Sequence, residues 1–180
     1  MPPPDLTAQF RELDWFQFEK IVALIYRKLD YQVERRGGAH ADGGLDLVLR
    51  RDDQTKGVQC KHWKTWQVGV KSVREFLGAL KDAQLHEGIF VSLGNFTSDA
   101  AALASRQGIR LVDARDLADL VEQAGIRSDP EFLDALSDPR KYCPKCEREL
   151  ILRTATRGQN LGGQFWGCSA YPRCKYILRL

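Results

Sequence analysis

The sequence predicts an α/β protein of three layers, a mixed sheet with helices on both faces, followed by a small C-terminal module built on cysteines. Three observations predict it. Apolar residues recur at helical spacing from Leu13 to Leu29 and again from Val70 to Leu85. Short alternating or wholly apolar runs, bounded by Gly and Asp, lie between and after them and read as strands. Cys143, Cys146, Cys168 and Cys174 then crowd the end of the chain. A helix, three strands and a further alternation of helix and strand make a mixed sheet covered on both sides.

Each element has its own warrant. The opening Met1 to Asp5 lacks a basic segment followed by an apolar stretch, so it does not read as a secretory signal. Residues 1–12 are expected to form a flexible N-terminus. Asp14 is placed to cap the first helix, whose apolar face carries Trp15, Phe18, Ile21, Val22, Ile25 and Leu29. Tyr31 to Arg36 alternates weakly and predicts a strand ended by Gly37 and Gly38. Leu45 to Arg50 follows Gly43 and Gly44 as a second strand, Asp52 and Asp53 suit a hairpin turn, and Lys56 to His62 forms the third. Val70 to Leu85 presents Val73, Phe76, Leu77 and Leu80 on one helical face. Gly88 to Ser92 reads as a buried strand, Thr97 or Ser98 caps a helix to about Gln107, Ile109 to Val112 is a strand, and Ala114 to Gln123 a helix. Ser128 to Arg140 holds Pro130, Pro139 and a short amphipathic piece, Phe132 to Leu136, and reads as a linker. The expected division is a domain-sized body over residues 13–125, a linker over 126–141 and the cysteine module over 142–180.

The 180 residues fit one ordinary domain of roughly 100–150 residues and an appendage. The net charge of +3 conceals a split: from Arg140 onward nine Lys and Arg face two acidic residues, while the remainder has four more acidic than basic residues. A basic, aromatic-bearing tail on a mildly acidic body suggests attachment to a polyanion, with a solubilising terminus as the plainer alternative. No run of about 18 apolar residues exists, so no membrane span is expected and the cytoplasm is the expected location. Five cysteines do not suit a disulfide framework; four grouped and one distant, Cys60, fit a reducing compartment with one metal site. Cys60 itself reads as a small core residue.

The cysteine spacing is C-x2-C, 21 residues, then C-x5-C. Two close pairs on separate arms can turn four thiolates to one centre, the tetrahedron that a structural Zn²⁺ prefers. In the body, Asp46 opens one strand, and Gln59 and Lys61 share a face of the next while Cys60 points to the other. A carboxylate, an amide oxygen and an ammonium on one patch suit phosphodiester hydrolysis. The oxygens hold Mg²⁺ or Mn²⁺, and the amine orients or deprotonates a water and stabilises developing charge. Glu19, one turn from Trp15 and Val22, lies beside the apolar stripe, where a carboxylate needs a partner or an ion.

Asp46 with Gln59-x-Lys61 resembles the Gln-containing variant of the PD-(D/E)xK nuclease motif. The longer string from Asp42-Gly-Gly-Leu-Asp46 to Val58-Gln59-Cys60-Lys61-His62 resembles the Mrr-type restriction endonuclease domain. Trp15, Phe18 and Glu19 in the first helix, Gly88-Ile-Phe-Val and Phe96-Thr97 support the likeness, which covers roughly Leu13 to Gln123. The resemblance implies a restriction-endonuclease-like fold that cleaves DNA with a divalent ion. It makes Asp46 and Gln59 metal ligands, Lys61 the catalytic lysine and Glu19 an auxiliary ligand, restoring the charge that Gln59 withholds. Asp42 is a ligand, a support or a turn residue, with turn or support favoured. An inactive nuclease fold kept for DNA binding, an adaptor, is one alternative; a repair or recombination nuclease acting on branched or single-stranded DNA is another. Cutting both strands of a duplex would need two active sites, and a homodimer would supply them.

Other residues carry less. His62 should point away from the face of Lys61, His86 ends a helix, and His40 precedes Asp42 in the glycine-rich loop. Trp63, Lys64, Trp66 and Lys71 either meet a DNA backbone or cover the sheet edge. The tail from Tyr142 to Tyr176 resembles the four-cysteine zinc finger at the C-termini of bacterial type I DNA topoisomerases, on Cys143-Pro-x-Cys146 and Phe165-Trp166-Gly167-Cys168-Ser169-x-Tyr171-Pro172-x-Cys174. That likeness implies binding of single-stranded DNA. Phe165, Trp166, Tyr171 and Tyr176 are the candidate stacking platforms, and Arg153, Arg157, Arg173 and Lys175 the candidate phosphate contacts. Some of these aromatics must instead form the core of the module.

Overall fold

The computed structural model describes residues 5–36, 44–62, 67–138, 140–146 and 148–179. They form two compact units, one ending at Asp138 and the other made of the residues from 140 onward.

The first unit opens with α1 (Leu6–Glu12) and α2 (Trp15–Lys28). Asp14 caps α2 as its position predicts: its carboxylate accepts from the Gln17 N–H at 2.8 Å, and the Gln17 side chain accepts from the Asp14 N–H at 3.0 Å. This reciprocal box satisfies two of the donors that a helix start leaves open. Strands β1 (Gln32–Arg35), β2 (Leu47–Arg51) and β3 (Gln54–Lys61) form an antiparallel meander, with Asp52 at φ 53 in the turn between the last two. Helix α3 (Val70–Asp82) carries the chain to β4 (Glu87–Ser92), and α4 (Ser98–Arg106) to β5 (Ile109–Val112). Both strands add in parallel, giving one sheet in the order β1-β2-β3-β4-β5, since a parallel neighbour needs a crossover of this length. Helix α5 (Ala114–Gln123) follows, capped by Asp113.

Two apolar clusters show that helices cover both faces. Phe76 and Leu80 of α3 and Ala100 and Ala104 of α4 pack with Leu45, Phe90 and Ile109. Phe18, Ile21, Val22 and Ile25 of α2 and Leu117 and Val121 of α5 pack with Leu47, Val58, Val91 and Val112 on the other side. This is the three-layer arrangement that the alternating pattern predicts.

Two expectations need correction. Residues 6–12 form a helix packed on the core: Asp5 caps α1, accepting from the Thr7 N–H at 3.0 Å, and Leu6, Phe10 and Leu13 are buried in the α2–α5 cluster. Their i, i+4, i+7 spacing is an apolar stripe that the prolines before it obscured. The stretch read as a linker contains α6 (Pro130–Ser137), which packs on α2 and sinks Phe132 completely. Ion pairs from Lys28 to Asp129 at 2.7 Å and Arg27 to Glu131 at 3.3 Å run alongside, and the Gln17 side chain donates to the Asp138 carbonyl. The two prolines suggested a linker, but Pro130 opens the helix and the amphipathic piece after it buries its phenylalanine.

The second unit is an antiparallel sheet, β6 (Leu150–Thr154), β7 (Gln164–Cys168) and β8 (Ile177–Arg179), in that order. Its buried hydrophobic residues, among those described, are Cys143, Leu150 and Cys168, with Trp166 and Tyr176 packed against them. So few apolar side chains cannot hold a fold by burial alone.

Truncating Phe132 separates a core helix from a linker. Phe132→Ala should destabilise the first unit by about 3–5 kcal/mol in urea unfolding. An unchanged midpoint would return this stretch to the status of a linker.

Candidate functional site

The site in the first unit is assembled where β2 begins and β3 ends. Asp46 lies one residue before β2, and its backbone is already paired: its N–H donates to the Val58 carbonyl, and its carbonyl accepts from the Arg36 N–H, both at 2.8 Å. Its carboxylate Oδ2 accepts from Gln59 Nε2 at 2.8 Å and from the Cys60 backbone N–H at 2.6 Å. The structure therefore brings Asp46 and Gln59 together. Burial pushes the Asp46 carboxyl above its ordinary range, against the lowering effect of the Cys60 N–H, the Gln59 amide, and the Lys61 and Arg35 charges. Lys61, two residues beyond Gln59, is on the same side of β3 and within electrostatic reach of Asp46.

Gly44 shapes this corner. It has φ +90, and a Cβ there would stand 3.0 Å from Gln59 Oε1, so a side chain would be strained and would press on the amide. Gln59 itself is only 6% exposed. Its amide nitrogen faces Asp46. A cation shared by both residues needs the amide turned so that its oxygen faces the carboxylate, a rotation about a soft terminal torsion.

Glu19 lies on the buried side of α2, 7% exposed, and its Oε2 pairs with Arg35 Nη2 at 3.1 Å. The Arg35 guanidinium rests over the Phe16 ring, 4.6 Å from its centroid. Glu19, Asp46, Arg35 and Lys61 all influence the Cys60 thiol, which burial pushes well up. Cys60 is thus the core residue its pattern suggests, packed on the α2 side, and the part it plays at the site is its backbone N–H. His62 meets Phe18 of α2, ring centroids 5.5 Å apart, on the side opposite Lys61. His86 is exposed. Asp42, His40, Trp63, Lys64 and Trp66 lie outside the described residues.

The ligands that the sequence resemblance implies, Asp46, Gln59 and Glu19, would all offer hard oxygens, two of them anionic, a set that would suit a hard divalent ion and not a soft one. Two cationic side chains beside them suit a phosphate.

In the second unit the sulfurs of Cys143, Cys146, Cys168 and Cys174 lie within 4.8 Å of one another. Zn–S bonds of about 2.3 Å in a tetrahedron put sulfurs about 3.8 Å apart. The Cys143–Cys174 and Cys146–Cys168 separations are 3.6 and 3.3 Å. Backbone N–H groups two residues on donate to the sulfurs, Lys145 to Cys143 and Ala170 to Cys168, each at 3.4 Å. The Tyr176 N–H lowers the Cys174 thiol in the same way. Burial, joined by the neighbouring thiols of Cys146, Cys174 and Cys143, pushes Cys168 up to about 12 against the Ala170 N–H, so a thiolate there needs a dication beside it. The donor set fits zinc.

Strand alternation divides the ribbon's candidate DNA contacts between two faces. Arg153, Phe165 and Arg179 form one cross-strand row, facing away from the cysteines. Gly167 lies beneath it, and a Cβ there would meet Arg153 Cδ at 3.0 Å and Phe165 Cε2 at 3.3 Å. A groove of about 260 Å³ runs beside Phe165, lined also by Arg153, Tyr171, Lys175 and Tyr176. On its other flank a wider groove adds Arg157 and Arg179. Trp166 is on the opposite face, packed against the cysteine cluster with the Lys141 ammonium 5.8 Å from its ring centroid. Arg173 and Lys175 are exposed, and Tyr171 is 62% exposed. Arg35 and Arg179 were not singled out from the sequence; register with Leu47 and Phe165, invisible before pairing is known, is what places them.

Comparison with known proteins agrees with this division. Residues 10–121 match the restriction endonuclease family, and residues 140–180 the topoisomerase DNA-binding C4 zinc finger. The Type IV methyl-directed restriction enzyme EcoKMrr of Escherichia coli (strain K12) is 34% identical over 122 residues, covering 62% of this chain and 40% of that protein. The chain thus spans about two fifths of the length of this curated relative. Among solved structures, the DNA modification-dependent restriction endonuclease AspBHI superposes with a TM-score of 0.56 at 21% identity, over 74% of this chain and 39% of that one. The protein of unknown function AF1548 superposes with a TM-score of 0.52 at 20% identity, over 67% of this chain and 76% of that one. These two similarities establish a common fold. Among the described residues, no helix is long and apolar enough to cross a membrane.

A ribbon with this little core should depend on its metal. Chelation, or Cys168→Ser, should unfold residues 140–179 and leave the first unit folded, followed by metal analysis and by NMR of the two units. A metal-free preparation with an ordered ribbon would contradict the zinc assignment.

Proposed function

The chain belongs to the restriction endonuclease family, and from that premise we propose that it is a metal-dependent endodeoxyribonuclease, restriction-type and directed to modified DNA, whose zinc ribbon helps to hold the substrate. The observation that carries the reading is the shared corner of β2 and β3: the Asp46 carboxylate fixed by Gln59 and by the Cys60 N–H, with Lys61 on the same side. The modification-directed aspect rests on EcoKMrr, whose name describes it as methyl-directed. The cytoplasm, and a homodimer for double-strand cutting, belong to the same proposal.

Asp46, Gln59 and Glu19 would hold the divalent ion, which supplies Lewis acidity at the scissile phosphate. The rest falls to the chain. The two hydrogen bonds on Asp46 Oδ2 hold the carboxylate before substrate arrives, so little reorganisation is left to the reaction. Lys61 places an ammonium where charge accumulates on the phosphoryl oxygens, and its N–H groups orient the attacking water. The restriction-like core, closed on both faces by helices, fixes these groups where β2 begins and β3 ends, at the end of the inner strands of the sheet.

For the ribbon, the Arg153–Phe165–Arg179 row and its flanking grooves support binding of unpaired DNA. A base stacks on Phe165, Tyr171 lines the neighbouring groove, and Arg153, Arg157, Arg179, Arg173 and Lys175 meet phosphates. Trp166 contributes by packing the cysteine side. This groove also favours a second reading, in which forks, flaps or other substrates with unpaired bases are cut in repair or recombination.

Asp46→Ala and Lys61→Ala should each lower Mg²⁺- or Mn²⁺-dependent cleavage by about 10²–10⁴-fold with thermal unfolding unchanged within a few degrees. Full activity in either purified variant would remove the assigned site. A substrate panel of methylated, unmodified and branched DNA decides between restriction and repair. Phe165→Ala should weaken binding of single-stranded oligonucleotides by about 1–3 kcal/mol in fluorescence polarisation, and Arg153→Ala or Arg179→Ala should reduce the salt dependence. Wild-type affinity in the Phe165 variant would refute the stacking role.

A further inference from the structure

Among the described residues, the two carboxylates of the proposed catalytic corner have two cations beside them. Asp46 and Glu19 carry the negative charges; Lys61 and Arg35 carry the positive ones. Arg35 is placed by β1, whose pairing sets it opposite Leu47, the residue after Asp46. Its guanidinium lies over the Phe16 ring and reaches Glu19 at 3.1 Å, and its charge is among those that oppose the upward push of burial on the Asp46 carboxyl. The Arg35 side chain is 29% exposed, while that of Glu19 is 9% exposed. One partner of this pair can reach a strand of DNA arriving from solvent, and the other cannot.

A divalent ion entering alone would meet two fixed cations and a glutamate already engaged. A phosphodiester brings the negative charge that relieves this, and a guanidinium fork suits phosphate oxygens as well as it suits a carboxylate. We infer that Arg35 is a further residue of the site, which holds Glu19 over Phe16 while DNA is absent and passes to a phosphate oxygen of the bound strand, freeing Glu19 to ligate the divalent ion. The inference rests on the nuclease reading and adds a coupling to it: DNA and metal each strengthen the binding of the other. Loading of the metal is thereby tied to the presence of substrate.

The test uses the full chain with Ca²⁺ as the probe, since it takes the same hard oxygen ligands. Calorimetric titration is done with and without a short duplex, and Mg²⁺-dependent cleavage is followed in parallel. In the wild-type protein the duplex should raise Ca²⁺ affinity by about tenfold. Arg35→Gln should bind Ca²⁺ about tenfold more tightly without DNA, gain little more from the duplex, and cleave far more slowly. Arg35→Lys, which keeps the charge, should restore much of the coupling. Glu19→Gln should abolish the coupling, and the Glu19→Gln/Arg35→Gln double variant should show none of the Arg35→Gln gain, as a shared interaction requires. Should Arg35→Gln fail to fold, Glu19→Gln decides: coupling retained there overturns the exchange. Wild-type Ca²⁺ affinity and coupling in a folded Arg35→Gln protein overturns it as well. A wild-type protein that neither cleaves DNA nor binds Ca²⁺ overturns the nuclease reading itself, whereas one that does both while Arg35→Gln matches it overturns the role of Arg35 alone.

Discussion

The arrangement depends on a single carboxylate oxygen. Asp46 Oδ2 receives one hydrogen bond from a side chain and one from the backbone of the next strand, at 2.8 and 2.6 Å. Because the second donor is the Cys60 N–H, the carboxylate is tied to the frame of β3 itself and not only to a neighbour that can rotate away. The same strand then presents Gln59 and Lys61 on the Asp46 side and Cys60 on the other, a consequence of the period-two alternation of side chains. The register of β2 against β3, Leu47 opposite Val58, is therefore also the geometry of the site. A slip of one residue would send Gln59 and Lys61 into the α2 side of the core and Cys60 outward.

This explains why so closed a fold surrounds a polar corner. Burying a carboxylate is unfavourable unless donors and charges offset it, and the upward push on Asp46 shows that the offset is incomplete. A group left in that condition has more to gain from a cation than one satisfied by the protein alone. Glu19 is differently placed: Arg35 already gives it an ion pair, with Phe16 supporting the guanidinium from below. In the proposed reading the two carboxylates thus differ in availability, one fixed and under-compensated, the other held in reserve.

Much of the framework was legible in the sequence, and the reasons are local. Asp14 caps α2, Thr97 caps α4, and β5 and α5 have the very bounds their patterns predict, because caps and apolar periods are short-range signals. Asp46, Gln59 and Lys61 could be named because strand alternation is a rule that needs no partner. What escaped depends on pairing or on distant packing. The Cys60 N–H carries no sequence signature, since every residue but proline has one. Arg35 and Arg179 acquire meaning only from the strands beside them. Phe165 and Trp166 are adjacent aromatics of similar appeal; the position of Cys168 in the same strand is what turns Trp166 to the metal side and Phe165 away from it. In α6, one buried phenylalanine was hidden among prolines and acids.

Charge gives the two units complementary tasks. The residues before Arg140 carry four more acidic than basic groups, a balance that repels a polyanion, whereas those from Arg140 onward carry seven more basic than acidic ones. Even after four thiolates and one Zn²⁺ are counted, the ribbon stays positive. In the proposed reading, an acidic-leaning body has little long-range attraction for DNA, so the encounter would fall to the ribbon, whose field acts over about a Debye length. Covalent linkage would then convert the second contact into an intramolecular one, so that the proposed nuclease corner would need little affinity of its own. The corner would then have no need to hold phosphates by itself, and a divalent ion held by Asp46, Gln59 and Glu19 would add positive charge only at the proposed site of hydrolysis.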